Sequence, residues 1–216
     1  MVYAIVKPTL VPLIKLWVRK ISGLQNLKKE KSFIFASNHG SFAEDLVLPI
    51  IIIPYLNKLV HIYCNDRFYK NRFLRKILQW GQCIPIRVDD TSEDAKRMNK
   101  EAFALALKYL KKNEPVGIFP EGHRSLDGNL MEAKTGVAKL ALTAKVPVIP
   151  IGAIGTYGIW PKGKRLPRLK RCDINIGEPI YLNKYFGKEN NKKVLKEVTT
   201  LIMEEIAKLA KLRYNY

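Results

Sequence analysis

The stretch "SFIFASNHGSFAEDLVLP", Ser32 to Pro49, decides the fold, because three kinds of local grammar meet in it. "SFIFAS" is a short apolar run of the kind that forms a buried strand. Gly40 suits a loop, and Ser41 is a good N-cap for a helix beginning near residue 42. A strand, a short loop and a helix in that order place His39 at the carboxyl edge of a sheet strand, where open α/β sheets gather their ligands. His39 and Glu44 are five positions apart, about 500° on a continuous helix, so they can face each other only across that break. A rival reading is purely structural. Ser41 to Glu44 spells S-x-x-E, a capping box whose glutamate folds back on its own helix, and the same grammar recurs at "TSED", Thr91 to Asp94, with no histidine near.

Outward from this stretch, short apolar runs alternate with longer helical patterns, as expected of an α/β protein. Strands are predicted over 32–37, 59–64, 82–87, 115–119, 147–152 and 172–177, and helices over 42–56, 67–79, 92–112, 133–144 and 190–212. The expected architecture is a mixed, largely parallel central sheet flanked by helices, with an N-terminal amphipathic helical segment. Pro49 and Pro54 would kink the first of these helices, and its run "LVLPIIIIPYL" suits a core or a lipid-facing surface. No repeat or low-complexity linker divides the chain, so two units suffice: an N-terminal segment over 1–28 and the main domain over 29–216.

The chain has 216 residues, is 47% hydrophobic and carries a formal charge of +19, enough for one sizeable core and for an anionic partner. Three cysteines, Cys64, Cys83 and Cys172, form no C-x-x-C pair and sit in apolar runs, which argues for a reducing compartment without disulfides or a cysteine metal site. The first 24 residues are interrupted by Lys7, Pro8, Pro12 and Lys15, which makes a poor membrane span and a poor secretory signal. Lys15, Arg19 and Lys20 among Leu13, Ile14, Leu16, Trp17, Val18 and Ile21 suit an interfacial helix; a helix packed on the protein's own core fits equally. "RFYKNRFLRKILQW", Arg67 to Trp80, interleaves basic and aromatic residues in a way that serves a membrane interface or a nucleic-acid backbone.

Three further blocks carry chemistry. "GQCIPIR" ends a strand in Arg87, "FPEGHRS" turns out of another at Phe119 to Ser125, and "VPVIPIG" spans Val146 to Gly152. Arg87 and Arg124 are guanidinium forks matched to phosphate or carboxylate oxygens, and Gly122 lets backbone approach a ligand closely. Each arginine alone could equally be a surface charge.

Together with "NHGSFAE", Asn38 to Glu44, these blocks resemble in type and order the four blocks of the glycerolipid acyltransferases, a family that includes 1-acylglycerol-3-phosphate (lysophosphatidate) acyltransferases. The resemblance covers about Phe33 to Pro179. It implies acyl transfer from an acyl thioester, acyl-CoA or acyl carrier protein, to the sn-2 hydroxyl of 1-acylglycerol-3-phosphate, giving phosphatidate. It also implies His39 as general base, Glu44 as its orienting acid, and Arg87 with Glu121, Gly122 and Arg124 as the acceptor-phosphate site. Lys134 in "MEAKTG" is a further candidate for that phosphate. Two departures stand out: the family usually has aspartate where Glu44 stands, leaving Asp45 as a reserve partner, and threonine where His123 stands.

This chemistry needs no cofactor and no metal. Another lysophospholipid or an aminolipid remains an alternative acceptor. The basic run "WPKGKRLPRLKR", Trp160 to Arg171, suits anionic lipid, coenzyme A phosphates or an acidic carrier protein. A peripheral or monotopic position on the cytoplasmic face of the cell membrane is the matching location. Nucleic-acid binding fits the charge but leaves the His39 loop and "FPEGHRS" unexplained.

Overall fold

A computed structural model describes residues 11, 12, 14 and 16–216. Among them run β1 (Val18–Ser22), β2 (Ile34–Ser37), α1 (Ala43–Leu56), β3 (His61–Asn65), α2 (Arg72–Trp80), β4 (Ile84–Ile86), α3 (Glu93–Lys111), β5 (Val116–Ile118), α4 (Gly136–Ala144), β6 (Val148–Ile154), β7 (Cys172–Ile176) and α5 (Lys192–Ala210). The seven strands form one sheet in the order β1-β7-β6-β2-β5-β3-β4. From β6 to β4 all neighbours are parallel; β7 runs antiparallel to β6 and parallel to β1. The fold is therefore the mixed, largely parallel α/β sheet that the sequence predicts.

Parallel strands are covered on both faces, so they carry apolar side chains at every position. β2 shows this: Phe33 and Phe35 join the layer of α1, while Ile34 and Ala36 join that of α3, α4 and α5. Gly117 in the neighbouring strand makes room for this packing, because a Cβ there would lie 2.1 Å from Cζ of Phe35. In α1, Val47, Leu48, Ile51, Ile52 and Ile53 are all buried, so one face of "LVLPIIIIPYL" is core, despite Pro49 and Pro54 inside the helix, while Leu46 stays 48% exposed.

The N-terminal expectation needs correction. The interfacial helix lies partly outside the described residues, and Val18–Ser22, placed in it by its basic and apolar mixture, is an edge strand paired with β7. Arg19 does not reach for headgroups there; its Nε and Nη2 donate to Asp173 at 2.9 and 2.5 Å. Charged side chains on an edge strand discourage unwanted pairing, which explains the mixture equally well. β1 carries residues from before the expected boundary at 28 into the main sheet.

Candidate active site

Every candidate residue follows the carboxyl end of a parallel strand: His39 after β2, Arg87 after β4, and Glu121, Gly122 and Arg124 after β5. β6 adds Thr156 from the same edge. The His39 loop is pinned by Asn38, whose side chain donates to the Ala153 carbonyl at 3.0 Å and accepts from the Ala153 amide at 2.8 Å, extending β2 alongside β6. The His39 amide donates to Glu121 Oε1 at 2.7 Å, and its carbonyl accepts from the Ser125 amide at 2.8 Å. The imidazole stacks on Phe119 with centroids 4.0 Å apart. Burial, with the nearby positive charge of Arg124 and then His123, pushes its pKa down to about 3, so the ring is neutral at physiological pH.

The two carboxylates after His39 behave differently. Glu44 is fully buried and turns away from the imidazole: it accepts from the Gly40 amide at 3.0 Å, the Ser41 amide at 2.8 Å, the Ser41 hydroxyl at 3.2 Å and the Thr156 hydroxyl. The glutamate arm of the capping box is thus formed, while Ser41 Oγ accepts from the Ala43 amide at 2.9 Å and Phe42, not Ser41, stands at the N-cap; Thr156 reinforces Glu44 from the turn after β6. Burial raises its pKa to about 7, against the pull of those donors, Thr156 first. Asp45, the reserve partner, is the carboxylate that faces the ring, with Oδ1 4.0 Å from His39 Nε2. That separation is too long for a hydrogen bond, and His39 Nδ1 is buried without a partner. Burial and then the Glu44 charge raise Asp45 to about 8, with Arg124 opposing.

Glu121, expected against the substrate phosphate, is committed elsewhere. Its Oε1 holds the His39 amide and its Oε2 the Met131 amide at 2.8 Å, so it staples the β2 and β5 loops together. Gly122 has φ 75, a left-handed turn that favours glycine, and a Cβ there would press on Val88 at 3.1 Å and on Lys134 at 3.4 Å.

The cations fall into two groups. Arg87 donates through Nε and Nη2 to Asp66 at 2.9 and 2.6 Å, and its Nη1 lies 3.5 Å from Asp90 and 3.7 Å from Asp94. His123 and Lys134 both pair with Asp89. Arg124 is different: it forms no ion pair among the described residues, is half-buried, and lies over the Phe42 ring at 4.0 Å. Of the cations, only Arg124 and then His123 act on the His39 titration.

Sequence reasoning missed Asn38, Thr156, Phe42 and the four aspartates. Asn38 stands inside the quoted stretch and could have been found as a polar residue at a strand end. Thr156 lies 112 positions from Glu44 and carries no local signal.

Known proteins resemble this chain in sequence and fold. A family model described as Acyltransferase matches residues 18–154. The chain is 25% identical over 162 residues to the 1-acyl-sn-glycerol-3-phosphate acyltransferase of Bacillus subtilis (strain 168), covering 75% of this chain and 73% of that protein. With the enzyme of that name from Limnanthes douglasii it is 38% identical over 148 residues, covering 67% of this chain and 48% of that one. In fold it is similar to the crystal structure of the 1-acyl-sn-glycerophosphate (LPA) acyltransferase, PlsC, from Thermotoga maritima. The TM-score is 0.66 and the identity 23%, over 93% of this chain and 75% of that one. The family match runs from β1 to the end of β6 and takes in the His39 loop, Arg87 and the turn at 119–125. On that match, the chain belongs to the Acyltransferase family.

Proposed function

We propose that the protein transfers a fatty acyl group from an acyl thioester, acyl-CoA or acyl carrier protein, to the sn-2 hydroxyl of 1-acylglycerol-3-phosphate at a membrane surface. The relatives named above support the acceptor. The observation that carries the reading is a neutral, buried His39 beside Arg124, a half-buried cation without an ion-pair partner among the described residues.

In the reaction, His39 takes the proton of the acceptor hydroxyl as its oxygen attacks the thioester carbonyl. Collapse of the tetrahedral intermediate breaks the C–S bond, and the imidazolium returns the proton to the leaving thiolate, giving ester and free thiol. General-base assistance of this kind contributes about 10²- to 10⁴-fold. Asp45 is the carboxyl group that faces the ring, and once ionised, above its raised pKa of about 8, it steadies the imidazolium; the 4.0 Å separation has to shorten in the complex for a hydrogen bond to form, as catalytic hydrogen bonds often do. Glu44 serves by holding the loop. The Gly40 amide is already bound to Glu44 and the Gly122 amide to the Phe119 carbonyl, so neither is free for the oxyanion.

Arg124 anchors the acceptor phosphate, assisted by Lys134, His123 and Arg87 once their aspartates are displaced. The anchor does more than orient. Burial first and Arg124 second depress the His39 pKa, so phosphate on the guanidinium lifts the smaller part of that depression as the hydroxyl arrives. A lysophosphatidate acceptor thereby raises the basicity of its own base.

The test is phosphatidate formation from lysophosphatidate with acyl-CoA or acyl carrier donors. His39→Ala should lose about 10²-fold or more in kcat with its circular dichroism spectrum intact. Wild-type turnover in that variant rejects the general-base assignment, and a wild type inactive with every donor rejects the reading.

A further inference from the structure

An amphipathic surface helix ordinarily turns its apolar stripe inward; α2 does not. Phe73, Ile77 and Trp80, at positions i, i+4 and i+7 of one stripe, are 72%, 46% and 46% exposed, and no residue of α2 is buried. The helix is nonetheless properly begun, with the Asn71 side chain accepting from the amides of Phe73 and Leu74 at 3.0 Å each. Arg72 and Lys76 flank the stripe, Arg75 lies on the opposite face with its Nε donating to the Tyr69 carbonyl at 2.7 Å, Arg67 and Lys70 precede the helix, and α2 holds no acidic residue.

The same inversion recurs in the loop 160–171. Leu166 and Leu169 are 77% and 85% exposed, among six basic residues and no acidic one. The loop is braced from behind: Trp160 Nε1 donates to the Lys164 carbonyl at 2.9 Å, and Trp17 Nε1 donates to the Arg168 carbonyl at 3.1 Å. The two elements meet at Phe42. Its ring lies 5.5 Å from Phe68, just ahead of α2, and 5.5 Å from Trp160, and it carries Arg124 on its face.

We propose that α2 and the loop 160–171 together dock the protein on an anionic phospholipid bilayer. Phe73, Ile77, Trp80, Leu166 and Leu169 enter the boundary between headgroups and acyl chains, and the flanking arginines and lysines pair with lipid phosphates. This rests on the lipid-acyltransferase reading, which requires a lipid acceptor to reach Arg124. Apolar residues projecting beyond a basic surface favour a bilayer over an acidic carrier protein, because a charge-matched protein partner needs the lysines and arginines but has no use for two leucines at such exposure. Through Phe42 the docked surface is continuous with the candidate active site, so a lysophospholipid could pass from the bilayer to Arg124 with little exposure of its chain.

The experiment is flotation of the full chain with phosphatidylcholine vesicles, with and without phosphatidylglycerol. The wild type should float with the anionic vesicles, weakly with neutral ones, and less in high salt. The double variants Phe73→Ser/Ile77→Ser and Leu166→Ser/Leu169→Ser should each lose about tenfold or more in partitioning, with unchanged circular dichroism. Both should keep wild-type turnover on detergent-dispersed lysophosphatidate. Variants that float like the wild type overturn the proposal, as does wild-type flotation indifferent to phosphatidylglycerol. If an acyl carrier protein binds the wild type but not the variants while flotation persists, the surface belongs to the carrier and the proposal falls. A wild type without acyl-transfer activity that still floats through these residues removes the proposed function and leaves the docking surface standing.

Discussion

At the His39 end of the site most polar groups are buried and answered by neutral donors, whereas at the Arg87 end charges are half-buried or exposed and answer one another. Glu44 sits beneath two amides and two hydroxyls; Arg87 stands among three aspartates, and Lys134 and His123 share a fourth. The difference decides what each end can do. Buried hydrogen bonds to a charged acceptor fix a loop, and removing one partner strands the others. The exposed ion pairs of Asp89 are worth about 0–1 kcal/mol, so an incoming phosphate can exchange them at little cost, whereas the half-buried, two-pronged Arg87–Asp66 pair holds more firmly. The first end supplies rigid geometry and the second supplies replaceable charge, with Arg124 between them, unpaired among the described residues and half-buried.

The sharpest way to break this contrast is Glu44→Ala. It strands the Gly40 and Ser41 amides and the Thr156 hydroxyl in a buried site, at about 1–3 kcal/mol for each group that stays unsatisfied. We expect a loss of about 2–4 kcal/mol in urea unfolding. A variant as stable as the wild type would show that Glu44 is not the strut of the His39 loop. Next in size is Arg124→Ala. Loss of a hydrogen bond to a charged group costs about 1.5–3 kcal/mol, or roughly 10- to 100-fold in kcat/KM for lysophosphatidate. Because the guanidinium, after burial, also lowers the His39 pKa, kcat for an acceptor without phosphate should be low in the wild type and should rise with the substitution. Equal losses on both acceptors would separate Arg124 from the phosphate.

How much of this could be seen in the sequence follows the same division. β2 to β7 and the helices were legible because each is a contiguous apolar or amphipathic run whose signal is local. β1 was not: Arg19 and Lys20 beside Val18 and Ile21 fit an interfacial helix as well as an edge strand, and the partner that settles it, β7, lies about 150 residues away. In the site, the capping box at Ser41 and Glu44 was readable, but its outcome depends on Thr156, contributed by the turn that follows a different strand. Glu121 carried the look of a ligand-binding residue while serving two backbone amides. Electrostatic pairing was the least visible of all, since nothing local says that Asp66 or Asp89 will reach the cations of other loops.

Asp45 offers a test through pH. Its folded carboxyl is raised to about 8 by burial and by Glu44, from an ordinary value of 3.8. The folded state therefore holds the proton more tightly than the unfolded one, and this contribution is present at low pH and lost as pH climbs from the ordinary carboxyl range through about 8. The side chain keeps 30% exposure, so water softens the effect. Asp45→Asn should flatten the fall of thermal stability over that window and, above about pH 8 where Asp45 is ionised, lower kcat by about tenfold, the modest cost of an unsteadied imidazolium. His39 works in the opposite sense: its lowered pKa makes stability fall as pH drops below 6.5 toward about 3, so the variant must be compared with the wild type at each pH. An Asp45→Asn protein with the wild-type slope and turnover would remove Asp45 from the site.

The smallest expected effect probes the other end. Asp89 has φ 63, a left-handed conformation that asparagine also tolerates, so Asp89→Asn removes charge without forcing the backbone. It frees Lys134 and His123 from the carboxylate that the acceptor phosphate must otherwise displace. An exposed pair worth at most about 1 kcal/mol translates into a fall in acceptor KM of no more than about fivefold, with kcat unchanged. The same substitution should make inorganic phosphate a better competitive inhibitor by a similar factor, because the released cations recognise phosphate whatever is attached to it. A rise in KM would mean that Asp89 organises Lys134 and His123 for the substrate instead of competing with it, and the exchange of carboxylate for phosphate at this end of the site would have to be abandoned.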